Sequence, residues 1–122
     1  MNIEQYRDFC LAKKGVTESF PFDHDVLVFK VSGKIFALTS LKNWEESIQF
    51  INLKCDPEYA LELRANYESI DPGYHMSKKH WNSLRIYKGE LPYELISQLI
   101  NHSYDLVVKS LTKKQKEALS ML

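Results

Sequence analysis

Residues 71–88 read Asp71-Pro-Gly-Tyr-His-Met-Ser-Lys-Lys-His-Trp-Asn-Ser-Leu-Arg-Ile-Tyr-Lys88 and join a predicted turn to a predicted strand. Pro72-Gly73 is typical of a turn, because proline presets an early turn dihedral and glycine accepts a positive φ at the next position. From Trp81 onward the side chains alternate as they do in a strand. One face then carries Leu84 and Ile86, and the other carries Trp81, Ser83, Arg85 and Tyr87.

The same stretch is rich in positive charge. No acidic residue lies between Pro72 and Gly89, whereas six side chains there are basic or can become so: His75, Lys78, Lys79, His80, Arg85 and Lys88. Histidine gains charge as the pH falls toward its intrinsic pKa of about 6.5. The net charge of the chain is zero, which argues against indiscriminate binding to polyanions. Residues 1–71 carry a net −4, however, and residues 72–122 a net +4, and this asymmetry favours an anion-facing surface.

Four motifs resemble those of a known family. Pro72-Gly73-Tyr74-His75-Met76-Ser77-Lys78-Lys79-His80-Trp81-Asn82 resembles the signature of the MmcQ/YjbR family, small bacterial proteins usually described as DNA-binding. Three more motifs agree in the same order: Pro21-Phe22-Asp23, Lys54-Cys55-Asp56-Pro57-Glu58 and Ser103-Tyr104-Asp105-Leu106-Val107. Ser77 departs from the pattern, where asparagine is more frequent. The resemblance implies a frataxin-like (CyaY-like) α+β fold with helices on one face of an antiparallel sheet, and a nucleic-acid-binding role.

Length and composition are those of a single globular domain over residues 1–122. A chain of this length buries roughly two-thirds of the surface that its unfolded form exposes. It is 44% hydrophobic and 26% charged, and no apolar run approaches the roughly 20 residues of a membrane helix. The first residues lack the basic and apolar regions of a signal peptide. We therefore expect a cytoplasmic protein with no membrane partner.

The hydrophobic pattern predicts the remaining elements. Asn2, Asp56 and Thr112 are predicted helix caps, since their side-chain oxygens can accept from early backbone N–H groups. Ser32-Gly33 indicates a hairpin, and residues 16–25 are predicted to form a connector. Strands are expected over Val26–Val31, Lys34–Thr39 and Ile48–Cys55, and helices over Ile3 to about Lys14, after Asp56, from Leu91-Pro92 to about Leu111, and over Lys113–Leu119.

Strand alternation also assigns side chains to the two sheet faces. The face turned toward the helices is expected to hold Ile51, Leu53 and Cys55. On the long helix, His102 is predicted to be an ordinary surface residue. The face turned away from the helices is expected to hold Lys30, Phe50, Asn52, Lys54, Trp81, Arg85 and Tyr87.

Signatures of enzymes are absent from the sequence. There is no glycine-rich phosphate loop, no nucleophile elbow and no zinc-ligand spacing, so no catalytic residue, cofactor or metal ligand is predicted. Asp23-His24-Asp25 is a weak metal motif, because adjacent side chains of an extended segment point in alternate directions. Cys10 and Cys55 are expected to be reduced and mostly buried. Whether Cys55 meets His75 and His80 in space stays open.

Nucleic-acid binding is the function that the residues of this sequence favour most. Lysines in a tight turn can contact phosphates, and aromatic rings and a guanidinium can stack on bases. DNA or RNA binding is expected to be weak and salt-dependent. Alternatively, Trp81 packs beneath the 72–80 turn, or the sheet face or edge binds a protein or peptide. The predicted nucleic-acid-binding residues are Lys78, Lys79, His80, Trp81, Arg85, Tyr87 and Lys88.

Overall fold

The structure is a computed structural model that describes all 122 residues. It contains five helices and six strands, and a short 3₁₀ turn, Ile86–Lys88, follows the last strand. In chain order the elements are α1 (Ile3–Leu11), β1 (Val16–Ser19), β2 (Val26–Val31), β3 (Lys34–Ser40), α2 (Leu41–Glu45), β4 (Phe50–Lys54), α3 (Pro57–Asn66), β5 (Ile70–Pro72), β6 (Trp81–Arg85), α4 (Tyr93–Ser110) and α5 (Lys113–Ser120).

The six strands form one antiparallel sheet in the order β1-β2-β3-β4-β6-β5. The helices cover one face of the sheet, so the predicted α+β class and layer arrangement are confirmed. Between the layers lies a hydrophobic core to which α1, α3 and α4 contribute Tyr6, Leu63 and Ile100, among others. None of the helices is both long and apolar enough to cross a bilayer.

The register of β4 against β6 decides which side chains lie on each face. Ile51 lies opposite Leu84 on the helix-covered face. On the other face, which we call the free face, Phe50 lies opposite Arg85, Asn52 opposite Ser83, and Lys54 opposite Trp81. The predicted division of these residues between the two faces is confirmed.

Helix ends follow local chemistry. The Asn2 side chain accepts from the Gln5 backbone and the Gln5 side chain returns the bond, which forms a capping box. Thr112 and Gln115 repeat this arrangement at α5, and Asp56 accepts from the Tyr59 backbone at α3. All three predicted caps are confirmed, although α1 ends at Leu11, earlier than the predicted Lys14.

Several short elements differ from the sequence predictions. The predicted connector contains β1, which pairs with β2, and β5 occupies Ile70–Pro72 just ahead of the turn. Helix α2 occupies Leu41–Glu45, between β3 and β4, where no element was predicted. Strand β6 ends at Arg85 because the chain closes into the 3₁₀ turn that Gly89 terminates with a φ of 71°. Tyr87 therefore lies beyond the sheet, and its predicted place on the free face is wrong.

Ser103 links α4 to two strands. This fully buried hydroxyl donates to the Phe36 carbonyl at 2.5 Å and accepts from the Lys54 N–H at 2.9 Å. The next residue, Tyr104, donates its hydroxyl to the Lys14 carbonyl at 2.6 Å. The Ser103-Tyr104 pair thus has a structural role, because Ser103 satisfies backbone groups of two strands inside the protein and Tyr104 ties α4 to the segment after α1.

Replacing Ser103 by alanine is expected to lower the free energy of unfolding by about 2–3 kcal/mol, because a buried N–H and a buried carbonyl each lose a partner. Urea denaturation measures this change. Ser97→Ala is a matched control on the same helix, since the buried Ser97 hydroxyl has no hydrogen-bond partner. The control should stay within about 0.5 kcal/mol of the wild type or be slightly more stable. Equal losses in both variants would contradict the assigned role of Ser103.

Candidate functional site

Residues 73–80, which we call the covering loop, fold back over the free face of the sheet. The Gly73 N–H donates to the Trp81 carbonyl at 2.8 Å, and the Tyr74 N–H donates to Ser83 Oγ at 2.9 Å. The Tyr74 carbonyl accepts from the Asn52 side chain at 3.2 Å. A side chain at Gly73 would place its Cβ 2.6 Å from Trp81 Cβ. Glycine is required here because the loop backbone lies directly against β6.

Arg64 of α3 fixes the other end of the covering loop. Its guanidinium donates to the Lys78 carbonyl, to the Trp81 carbonyl at 3.1 Å and to Asn82 Oδ1 at 2.7 Å. The His80 carbonyl accepts from the Cys55 N–H at 2.8 Å. These bonds hold the loop at both ends. Arg64 was not predicted as a site residue, because nothing in the helical pattern of α3 indicates a partner in a distant loop.

Trp81 lies beneath the covering loop. Its side chain is on the free face, as predicted, but only 9% of its surface is exposed. A base cannot stack on a ring that the loop already covers. The expectation that Trp81 forms part of an open binding surface is therefore wrong, and the alternative, that it packs beneath the turn, describes the structure.

Arg85 is engaged with groups of its own chain. Its Nε lies 2.7 Å from Asp71 Oδ2, and its Nη2 donates to the Glu68 carbonyl at 2.6 Å. Lys88 lies further along, in a shallow depression shared with Glu68 and Glu90. Arg85 and Lys88 thus each lie near carboxylates of the same chain. The seven predicted residues do not form one cationic surface, because Arg85 and Lys88 line different depressions from that of Lys78 and Lys79.

Lys78, Lys79 and His80 remain exposed on the covering loop. The ion pairs of the protein involve Arg7, Lys42 and Arg85, so neither loop lysine has a carboxylate partner. The two lysines line a shallow depression with Pro57, Leu61 and Arg64. This side of the loop is a small cationic surface whose two lysines form no salt bridge.

A groove of about 360 Å³ runs along the free face on the other side of the covering loop. Two exposed aromatic side chains flank it, Phe22 at 66% and Tyr74 at 60% exposure. The rings of Phe50 and Tyr74 meet edge to face with centroids 5.9 Å apart. The full lining is Phe22, Val26, Leu38, Ser40, Asn43, Phe50, Asn52, Tyr74, His75 and Met76.

A family model described as YjbR matches residues 11–106. This chain belongs to the YjbR family. The family part of the sequence-based resemblance is thereby confirmed.

Relatives of known sequence and structure agree with this membership. The Escherichia coli O157:H7 protein YbdF is 46% identical over 99 residues, covering 80% of this chain and 77% of its own. YjbR of Escherichia coli K12 is 30% identical over the full length of both chains. The crystal structure of the Deinococcus radiodurans protein DR2400, a DUF419 domain, superposes with a TM-score of 0.88 at 37% identity over 98% of this chain and 88% of that one. None of these names states an activity.

The Asp23-His24-Asp25 segment of this YjbR protein uses its aspartates for local structure. Asp23 Oδ1 accepts from the backbone N–H groups of Asp25 and Val26, both at 2.8 Å, and these bonds lower the Asp23 pKa. Asp25 accepts from the Ser40 hydroxyl at 2.6 Å and from the Lys42 N–H at 2.7 Å. No group of three histidine, cysteine or acidic side chains in the protein is arranged to hold a metal ion.

Both thiols are free and buried, as predicted from the sequence. Burial raises the pKa of Cys10 and that of Cys55 to about 12. Each thiol is therefore protonated at neutral pH, and a protonated thiol is a poor nucleophile and a poor metal ligand. Although the His80 carbonyl lies beside Cys55, His75 lines the groove on the opposite face of the sheet. These three residues do not converge.

His102 is not the ordinary surface residue that the helical pattern predicted. Its Nε2 accepts from the Asp56 N–H at 3.1 Å, and its ring meets Tyr59 edge to face at 5.2 Å. The imidazole thus ties α4 to the start of α3, which carries Arg64. Periodicity along one helix could not reveal this contact, because the partner belongs to another element.

Arg64→Met keeps the length of the side chain and removes its donors, so the covering loop should open more often. We expect trypsin to cleave after Lys78 and Lys79 about tenfold faster or more, since hydrogen bonds from a charged group each contribute about 1.5–3 kcal/mol. Mass spectrometry of the fragments measures the rate. Arg7→Met is the control, because Arg7 pairs only with Glu18. Unchanged cleavage in Arg64→Met would show that Arg64 does not hold the loop.

The raised cysteine pKa values predict a loss of stability in alkali. The thiols of the unfolded chain have a pKa of about 8.5, and below that pH they are protonated in both the folded and the unfolded protein. Between about pH 8.5 and about pH 12 they ionise only in the unfolded protein. The free energy of unfolding should fall progressively as the pH rises from about 8.5 toward about 12. Urea denaturation should show a smaller fall in Cys10→Ala/Cys55→Ala. An equal fall in the free energy of unfolding of the wild type and the double variant would show that the thiols do not cause it.

Proposed function

We propose that this YjbR protein binds nucleic acid weakly through its covering loop. The observation that carries the proposal is the pair Lys78 and Lys79, two adjacent cations without carboxylate partners on a loop that is held at both ends. A held loop presents its charges at little cost in conformational entropy when a ligand binds. Phosphates that meet these lysines release condensed counterions, which favours binding at low salt.

The geometry limits the strength of this binding. Arg85 and Lys88 lie near carboxylates, so about two charged phosphate contacts are available, from Lys78 and Lys79. On a single strand two contacts correspond to a slope of log K against log salt of about −1.4. Glu58 and Glu62 are exposed on a neighbouring row of α3 and further weaken the local potential. The proposed interaction is therefore weak and loses affinity as the salt concentration rises.

A protein or peptide partner is the competing function, and the apolar groove is the observation that favours it. Addition of a partner strand at a sheet edge has little support. Edge strand β1 has four residues, and edge strand β5 has three and ends at Pro72, which cannot donate to a ladder. A peptide partner would therefore use the groove. Such binding needs no contribution from Lys78 and Lys79.

Lys78→Glu/Lys79→Glu tests the proposed function. We expect its affinity for a fluorescent oligonucleotide to fall about tenfold or more at about 50 mM salt, and its salt slope to flatten, because two phosphate contacts are lost. Fluorescence anisotropy measures both quantities. Lys113→Glu/Lys114→Glu is the matched control, since it makes the same change of charge on exposed residues of α5.

The control variant should bind within about twofold of the wild type, because its lysines lie outside the covering loop. Equal weakening in the two double variants would mean that net charge alone attracts the oligonucleotide, and the loop would lose its proposed role. Absence of binding by the wild type to single-stranded DNA, duplex DNA and RNA at about 50 mM salt would end the proposal, because contacts to phosphates are strongest there.

A further inference from the structure

We propose that the groove on the free face takes one unstacked base, so that the protein prefers single-stranded to duplex nucleic acid. This inference rests on the proposed function and concerns the same covering loop. One wall of the groove is formed by Tyr74, His75 and Met76, the residues that precede the loop lysines. The groove and the cations are thus two sides of one structural element.

The lining of the groove suits the face of a base. Phe22 and Tyr74 are exposed rings at its rim, and the Phe50 ring meets the Tyr74 ring edge to face. Every base has a π face, so stacking on such rings depends little on sequence. Val26 and Leu38 of adjacent strands add apolar surface to the floor.

Two polar side chains at the groove have hydrogen-bonding capacity that the protein itself does not use. Asn52 is already engaged with Tyr74 and Ser83, and the Ser40 hydroxyl donates to Asp25. The side chains of Asn43 and His75 also line the groove but form no hydrogen bond within the protein. An amide and an imidazole offer both donors and acceptors. Few polar groups in a mostly apolar site are typical of pockets that orient a small flat ligand.

The size of the groove limits what can enter it. Its volume of about 360 Å³ is near the lower end of the range for small-molecule pockets, about 300–1,000 Å³. This space suits a single base and excludes a stacked duplex. A base within a duplex is covered by its neighbours on both faces, so it must leave the stack before it can enter such a site.

The covering loop sets the distance between the groove and the cations. His75 and Lys78 are three residues apart, so their Cα atoms lie within about 11 Å of each other. A strand with one base in the groove that also crosses the covering loop would bring a neighbouring phosphate to Lys78 and Lys79 on the other side of the loop. An apolar peptide side chain would fill the same groove but leave these charges unused. The combination of apolar groove and unpaired cations favours a nucleic-acid strand as the occupant.

The test compares a fluorescent single-stranded oligonucleotide with the same sequence in a duplex, at about 50 mM salt. The wild type should bind the single strand about tenfold more tightly. Phe22→Ala/Tyr74→Ala should lower single-strand affinity about tenfold and leave duplex affinity within about twofold, because stacking is lost while the lysines remain. Tyr93→Ala is the control: Tyr93 is 44% exposed at the start of α4 and does not line the groove.

The possible outcomes separate this inference from the proposed function. If the wild type binds both forms equally and the double variant weakens neither, the base site is wrong while the loop lysines keep their role. If the double variant weakens both forms equally, the groove does not select for unstacked bases, and the inference is overturned. If neither form binds, the proposed function itself fails. Thermal unfolding checks that the double variant is folded. If the double variant is unfolded, the single variant Phe22→Ala takes its place, because the Phe22 side chain is 66% exposed.

Discussion

The contact between the covering loop and β6 determines what the free face of this protein can do. A sheet with helices on one side leaves its other side open, and here the loop covers part of it. The close approach of Gly73 to Trp81 and the bonds among Tyr74, Ser83 and Asn52 hold one end of the loop. Arg64 holds the other end. Without these contacts, Trp81 would be exposed, the groove would lose a wall, and the lysines would have no fixed position.

Much of the fold could be predicted because it depends on local chemistry. The three caps, the β2–β3 hairpin, the long helix α4 and the assignment of β4 and β6 side chains to the two faces follow from spacing within single elements. Strands β1 and β5 were not predicted, because each is short and is defined only by its hydrogen bonds to the neighbouring strand. Pro72 also reads as a turn residue, although it closes an edge strand.

The candidate site was harder to predict than the fold. The prediction that Lys78, Lys79 and His80 lie on an exposed loop is correct. Arg85, Tyr87 and Lys88 are close to them in sequence but do not share their surface. Arg85 pairs with Asp71, which immediately precedes the acid-free stretch. The groove joins Phe22 to Tyr74, residues that are distant in the chain. Only the folded structure shows which side chains share a surface.

The proposed function depends on the local positive charge of the covering loop, although the net charge of the chain is zero. NMR titration of the isotopically labelled protein with a short single-stranded oligonucleotide would test this account most directly. It predicts that shifts of backbone amide signals concentrate in residues 74–80 and in the groove around Phe22, Leu38 and Asn43, and that α5 stays unaffected. Shifts that concentrate on α5 or on the outer surface of α4, or no shifts at about 50 mM salt, would contradict it.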